Sequence, residues 1–176
     1  MKEITFFFFA TFAIGGLAAQ IVNPVIKSQG GIYEVPYAVE RPDPNLIYNI
    51  VIDVERQSDK PDTINWALNN VARLLNLHSV GGVPMKNMNV VLAIHGGATF
   101  STMSNEAYRA KYKVDNPNLK LFEELNAAGV KMFVCGQSLI NRHVDRNRLV
   151  PEVKISVSML TTLTTYELQG YAHLKF

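Results

Sequence analysis

Short runs rich in Ile, Val and Leu alternate with helix-forming segments along most of this 176-residue chain. The run at 89–94 is apolar throughout after its first residue, which is typical of a strand covered on both faces of a parallel sheet. Four further runs predict strands at 46–54, 130–134, 153–157 and 171–176. Strands that alternate with helices form a parallel sheet flanked by helices. The sequence therefore predicts an α/β fold, a three-layer sandwich around a mostly parallel five-stranded sheet.

Apolar spacing and capping residues predict the helices between these strands. One helix is predicted to open at Ser58, and a short one at 104–112 with Ser104 as its cap. A third is predicted to open at Asn116 and to end at a glycine, and a fourth spans 159–169 with Ser158 as its cap. Each of the predicted helices therefore connects two strands or lies within such a connection.

The first 19 residues have the pattern of a secretory signal. Lys2 is followed by an uncharged apolar stretch at 6–17, and small residues surround a cleavage point after Ala19. We expect residues 1–19 to be a signal peptide, and the mature protein to be periplasmic or secreted and free of the membrane. The alternative is a retained anchor, although the stretch is short for a span of about 20 residues.

Residues 20–45 contain four prolines and the pair Gly30-Gly31. Proline fixes the backbone and removes a hydrogen-bond donor, so this segment is predicted to be an extended arm. The arm is expected to pack across its own domain or against a neighbouring subunit. Residues 46–176 are expected to form one α/β domain.

Composition narrows the range of partners. A net charge of +2 and scattered basic residues argue against nucleic-acid binding. The chain is 48% hydrophobic, and both the helix at 159–169 and the strand at 171–176 carry more apolar surface than one sheet face needs. We therefore expect a homo-oligomer, with the arm against a neighbour.

Cys135 is the only cysteine of the chain, and it follows the predicted strand at 130–134. The carboxyl ends of strands in open α/β sheets are where ligands bind. A single cysteine forms no disulfide within its chain, so Cys135 is either inert packing or a reactive thiol. In an exported protein, an unpaired cysteine indicates intermolecular pairing or a free thiol.

His95 and the pair Gly96-Gly97 follow the strand at 89–94, and Gly136 follows Cys135. If the two strands are close neighbours, His95 lies near Cys135 and acts as its hydrogen-bond partner or proton donor. We take Cys135 and His95 as candidate catalytic residues, and the three glycines as candidate ligand-binding residues. The alternatives are a buried packing cysteine and a histidine bonded to backbone. No ligand spacing predicts a metal site, and no cofactor fingerprint is present.

Several short motifs occur in a fixed order: His95-Gly96 after a strand, Gly129 after a helix, Cys135-Gly136 after a strand, then 150–153 and 168–172. In this order and spacing the chain resembles the DsrE/DsrF-like family. The resemblance implies a YchN-like fold of flavodoxin-like appearance over residues 46–176. It also implies homotrimers or homohexamers with sites near subunit contacts, and a persulfide on Cys135. Typical sulfur-relay members are cytosolic and work with partner proteins, whereas this chain has a signal for export.

Two functions remain open at this point. The first is a thiol-based sulfur carrier, in which Cys135 accepts sulfane sulfur from a donor and passes it to an acceptor protein or small thiol. The second is a non-catalytic module that binds a small ligand or serves as an oligomeric scaffold. In the second function, Cys135 only lines a cleft formed by residues 95–97 and a wall or lid at 99–113. Neither function calls for a cofactor.

Overall fold

A computed structural model of the protein describes residues 20–176. The predicted signal peptide at 1–19 lies outside these residues. Within the described part of the chain, no helix has both the length and the apolar character needed to cross a membrane.

The amino-terminal arm folds back onto its own domain. Strands β1 (Ile21–Val22) and β2 (Ile32–Tyr33) form a small antiparallel ribbon. Between them, the fully buried Ile26 enters the main core, and its backbone is held by the side chain of Asn76. The first part of the arm therefore packs across the domain, which is one of the two arrangements expected for it.

Five parallel strands form the central sheet in the order β6-β5-β4-β3-β7. The strands are β3 (Tyr48–Val54), β4 (Met88–Ile94), β5 (Lys131–Cys135), β6 (Lys154–Ser156) and β7 (Ala172–Lys175). The register places Val54 beside Ile94 and Ile94 beside Val134, so the carboxyl ends of β3, β4 and β5 are level. The predicted α/β class is confirmed, and every strand pair in this sheet is parallel.

Helices cover the two faces of the sheet unequally. They are α1 (Trp66–Val80), α2 (Asn105–Tyr112), α3 (Leu119–Ala127), α4 (Gly136–Asn141) and α5 (Met159–Leu168), with short 3-10 segments at Met85–Asn87 and Gly96–Thr102. Helices α1 and α3 supply fully buried side chains to the large core on one face. On the opposite face, α5 packs with Leu163 against Val51, Val91 and Ala93 in a smaller cluster. This second face is the one that carries the candidate site.

The first helix begins later than its sequence predicts. Asn65, not Ser58, is the cap of α1, and its side-chain oxygen accepts from the backbone N–H groups of Ala67 at 3.0 Å and Leu68 at 3.2 Å. The predicted opening at Ser58 is wrong, because residues after Ser58 form turns before the chain reaches this cap. The caps predicted at Ser104 and Ser158 are confirmed.

Candidate functional site

Cys135 is the last residue of β5, and the chain enters α4 immediately after it. Its neighbour in the register is Ser156 of β6. The sulfur lies 3.9 Å from the hydroxyl oxygen of Ser158, the residue that caps α5. Only 3% of Cys135 is exposed in the single chain. The thiol therefore lies at the carboxyl edge of the sheet, as predicted, in a nearly closed setting between α4 and α5.

The surroundings of Cys135 favour its thiolate. Burial raises the pKa of the thiol, but hydrogen bonds from Ser138, from the backbone N–H of Met159 and from the Ser158 hydroxyl lower it, so that the net pKa lies below the ordinary cysteine value. Hydrogen bonds to the charged form of an acid favour ionisation. Since the thiolate is the nucleophilic form of cysteine, this is a setting for sulfur chemistry.

Ser138 connects the cysteine to the neighbouring strand end. The backbone N–H of Gly96 donates to the Ser138 hydroxyl oxygen at 3.3 Å, and Ser138 also lowers the pKa of the Cys135 thiol. Ser138 is not among the residues that the sequence predicts for the site, and Ser158 is predicted only as a helix cap. One signal was available, because residues three apart in a helical turn lie on the same side, and Ser138 is three residues beyond Cys135.

His95 follows β4, but its ring is engaged away from the cysteine. Its Nε2 lies 2.5 Å from Oδ1 of Asp53, a carboxylate on β3 whose side chain is only 5% exposed. Among the described residues, no hydrogen bond joins His95 to Cys135. The two residues lie on adjacent strand ends, as predicted, and a catalytic role for His95 stays a prediction.

The carboxyl end of β7 brings a further charged residue close to the Asp53–His95 pair. Lys175 of β7 lies 2.8 Å from Oε2 of Glu55 and 3.4 Å from Oδ2 of Asp53. The hydrogen bond with Lys175 lowers the pKa of Glu55, and the same bond raises the pKa of Lys175. Ligand atoms of Asp53, Glu55 and His95 all lie within 4.8 Å of one another. The sequence does not predict this group, because its members lie far apart along the chain and meet only through the sheet register.

The three candidate glycines are all explained by close packing of the backbone. A Cβ atom on Gly96 would lie 2.9 Å from the carbonyl oxygen of Glu55, and the φ of Gly96 is +55°. A Cβ atom on Gly97 would lie 2.7 Å from the Gln57 side chain, and one on Gly136 would lie 2.9 Å from the Ser156 carbonyl oxygen. Glycine is needed at these positions for the fold alone, and a role in ligand binding stays a prediction.

The segment at 99–113 is part of the core and does not stand free over the site. Thr99 and Thr102 are fully buried in the 3-10 segment, and Ala107 and Tyr108 of α2 join the large core. The Tyr108 hydroxyl donates to the carbonyl oxygen of Pro61 at 2.8 Å. The predicted short helix is confirmed, and this packing offers no support for a lid.

Exposed apolar side chains lie on the three segments next to the cysteine. They come from α4, from β6 with the residue after it, and from the first turn of α5: Ile140, Ile155, Val157 and Leu160. We call these four residues the apolar rim. Apolar patches on a protein surface mark contacts with other molecules or subunits.

The fold and the site define a class: small parallel α/β proteins with a single thiol where a central strand meets a helix. The sequence profile of the DsrE/DsrF-like family matches residues 50–176, more than half of the chain. The chain belongs to this family.

Two solved structures support the fold. The chain is similar to the YchN protein of E. coli, with a TM-score of 0.55 and 18% identity over 73% of this chain and 99% of that one. It is also similar to MTH1491 of Methanobacterium thermoautotrophicum, a protein of unknown function, with a TM-score of 0.54 and 16% identity over the same shares. A comparison with curated proteins gave no match. The YchN-like fold predicted from the sequence is confirmed.

Proposed function

We propose that this protein is a sulfur carrier that holds sulfane sulfur as a persulfide on Cys135. The observation that carries the proposal is the position of the thiol where β5 meets α4, 3.9 Å from the Ser158 hydroxyl, in surroundings that lower its pKa despite burial. Membership of the DsrE/DsrF-like family adds support, since this family is associated with sulfur relay.

The proposed reaction has two balanced steps. In loading, the Cys135 thiolate attacks the outer sulfur of a polysulfide or persulfide, forming one S–S bond as another breaks. A persulfide donor leaves as its thiolate, and a polysulfide leaves as an anion one sulfur shorter. In unloading, an acceptor thiolate attacks the outer sulfur of the Cys135 persulfide, and the Cys135 thiolate leaves. Neutral sulfur is transferred, so the cycle needs no external oxidant. Groups that stabilise the thiolate assist both the attack and the departure.

Release of sulfide tests the proposal directly. The protein is treated with sodium polysulfide, separated from it, and then exposed to dithiothreitol. A persulfide on Cys135 yields one equivalent of hydrogen sulfide per chain, as dithiothreitol is oxidised to its disulfide and the cysteine returns to the thiol. The matched control is Cys135→Ser, which should release none. Equal release from both proteins, or no release from either, contradicts the proposal.

The second candidate is a non-catalytic module or oligomeric scaffold in which Cys135 only lines the interior. The 3% exposure of Cys135 favours this reading, because a carrier thiol must meet its donor. Alkylation of the folded protein separates the two functions. Reaction of Cys135 with iodoacetamide under native conditions supports the carrier. Modification that occurs only in denaturant supports the module.

We further propose that the carrier acts outside the cytoplasm. This rests on the sequence pattern of residues 1–19. Amino-terminal sequencing of the protein recovered from the cells that make it checks the proposal. A chain that starts at Gln20 supports export with cleavage, and a chain that retains residues 1–19 and is recovered from the cytoplasmic fraction contradicts the proposal.

A further inference from the structure

Four ionisable side chains meet at the carboxyl ends of β3 and β7 and just beyond β4. Asp53 and Glu55 are two residues apart on an extended chain and therefore point to the same face, where His95 also lies. Lys175 approaches both carboxylates from β7. The cluster contains no cysteine, and the proposed persulfide chemistry does not use it.

Asp53 is the unusual member of this cluster. Its carboxylate is almost wholly buried, yet among the described residues its recorded partners are the His95 ring and the Lys175 ammonium. No backbone N–H donates to it there. A buried charge needs a partner of opposite charge or a metal ion. At 3.4 Å from Oδ2, with 61% of its side chain exposed, Lys175 is a distant and solvent-accessible partner.

We propose that Asp53, Glu55 and His95 bind a divalent transition-metal ion of the zinc class, and that the ion takes the place of the Lys175 ammonium. Imidazole nitrogen and carboxylate oxygen are ligands that zinc accepts at about 2.0–2.2 Å. Donor atoms around one such ion are separated by roughly 3–4 Å, and the three candidate ligand atoms already lie within 4.8 Å of one another.

Small movements complete this site. The Nε2 of His95 and Oδ1 of Asp53 are 2.5 Å apart and must separate by about 1 Å to share an ion. Glu55 and Lys175 have half or more of their side chains exposed, so they can turn without disturbing the core. His95 binds through Nε2 in the tautomer that carries its proton on Nδ1, and Lys175 turns out to solvent. Three protein ligands leave a fourth position for water or a small molecule, as in catalytic zinc sites.

Calorimetric titration with zinc chloride tests this site independently of the sulfur chemistry. The experiment uses the full chain without an affinity tag and carries Cys135→Ser throughout, so that the thiol contributes nothing. We expect one ion per chain. His95→Gln and Glu55→Gln should each weaken binding by at least about tenfold, because each removes one of only three ligands.

Lys175→Met gives the sharpest result. Removing a competing positive charge next to the ion should tighten zinc binding by about fivefold. The matched control is His173→Gln, which removes an exposed histidine that pairs with Glu167 at 2.7 Å, two residues before Lys175. This control should leave the affinity unchanged.

Three outcomes overturn the proposal. They are no zinc binding, binding that persists unchanged in Glu55→Gln and His95→Gln, and weaker or unchanged binding in Lys175→Met. Circular dichroism of each variant identifies a loss of fold, and the exposed Glu55 keeps the test decisive if His95→Gln unfolds. Because the titration lacks the Cys135 thiol, its failure leaves the persulfide proposal untouched, and the converse holds.

Discussion

Ser138 and Ser158 lower the pKa of the Cys135 thiol from two different helices. Ser138 lies in the first turn of α4, whereas Ser158 caps α5 and also accepts from the backbone N–H of Leu160 at 3.2 Å. Both hydroxyls donate to a thiolate more strongly than to a thiol, because hydrogen bonds to charged groups are the stronger ones. At the scale of single residues, the reactivity of this cysteine therefore depends on two serines.

Replacing Ser138 should raise the pKa of Cys135. We expect the pH midpoint of iodoacetamide alkylation to lie below the ordinary cysteine value in the wild-type protein and to rise in Ser138→Ala, because a group that favours the thiolate is lost. The control is Ser104→Ala, which removes the cap of α2 and leaves the sulfur contacts in place. An unchanged or lower midpoint in Ser138→Ala contradicts this account of the thiolate.

The same pKa shift has a consequence for stability. A thiol whose pKa is lower in the folded than in the unfolded chain favours the folded state when the pH exceeds the unfolded value. This contribution is lost as the pH falls through the folded-state pKa. Stability of the wild-type protein relative to Cys135→Ser should therefore increase as the pH rises from 7 to 9, as measured by urea unfolding at each pH. A flat or falling difference contradicts it.

At the scale of elements, helix α1 organises the amino-terminal arm through one side chain. The Asn76 amide oxygen accepts from the N–H groups of Val25 and Ile26, both at 2.9 Å, and its NH₂ group donates to carbonyl oxygens of Ile26 and Gly30. Asn76 is fully buried. Its amide therefore replaces the strand pairing that the proline-containing arm lacks.

Asn76→Ala should destabilise the protein by about 2–4 kcal/mol, because several buried backbone groups lose their partner at once. The matched control is Asn69→Ala on the same helix, whose amide oxygen accepts a single bond from the N–H of Gly30 at 2.9 Å. We expect a loss near 1 kcal/mol there. Urea denaturation measures the free energy of unfolding of both variants, and equal losses would argue against this role of Asn76.

The start of α1 gives a second test at this scale. Asn65→Ala should reduce the free energy of unfolding by about 1–2 kcal/mol, since it removes a side-chain cap that accepts two backbone bonds. Ser58→Ala should be close to neutral, because the Ser58 hydroxyl is buried without a partner among the described residues. Thermal unfolding of the two variants decides between the caps, and a larger loss from Ser58→Ala would contradict the structure.

Ser58 and Asn65 show which features of the fold local sequence predicts and which depend on tertiary contacts. Ser58 with Pro61 has the local pattern of a helix start, whereas Asn65 is recognised only through its tertiary bond, in which its N–H donates to Asn118 at 2.8 Å. The strands were predictable because a buried strand is a short run of apolar residues. The place of Cys135 at the end of one strand followed from the same pattern. The contact of Ser158 with the sulfur and the Asp53–His95 pair depend on strand order and register, which local patterns do not determine.

At the scale of the whole molecule, two features indicate contact with another subunit. They are the exposed apolar rim and the sheet face under α5, where the apolar cluster is small. We propose that the protein assembles as a homotrimer or homohexamer, with a subunit contact beside Cys135. The exposed part of the arm also offers apolar contacts, since Tyr37 and Val39 project into solvent. Residues 21–32 pack against their own subunit, and Ile26 is part of its core. Truncating the arm would therefore change stability as well as assembly.

Light scattering on the purified protein at micromolar concentration should give the mass of three or six chains. Leu160→Glu places a charge in the apolar rim and should shift the protein towards smaller species, because an unpaired charge is costly to bury in a contact. Val39→Glu makes the same change at an exposed position of the arm and tests its contribution separately. A monomeric wild-type protein would contradict the assembly.

Intact mass after exposure to sodium polysulfide tests the central claim most directly. The folded wild-type protein should gain one sulfur atom, lose it on reduction, and show no gain as Cys135→Ser. Ser138→Ala should load more slowly at neutral pH, because less of its thiol is ionised. A wild-type mass that stays unchanged while denatured protein takes up sulfur would contradict the carrier, and would make Cys135 a packing residue.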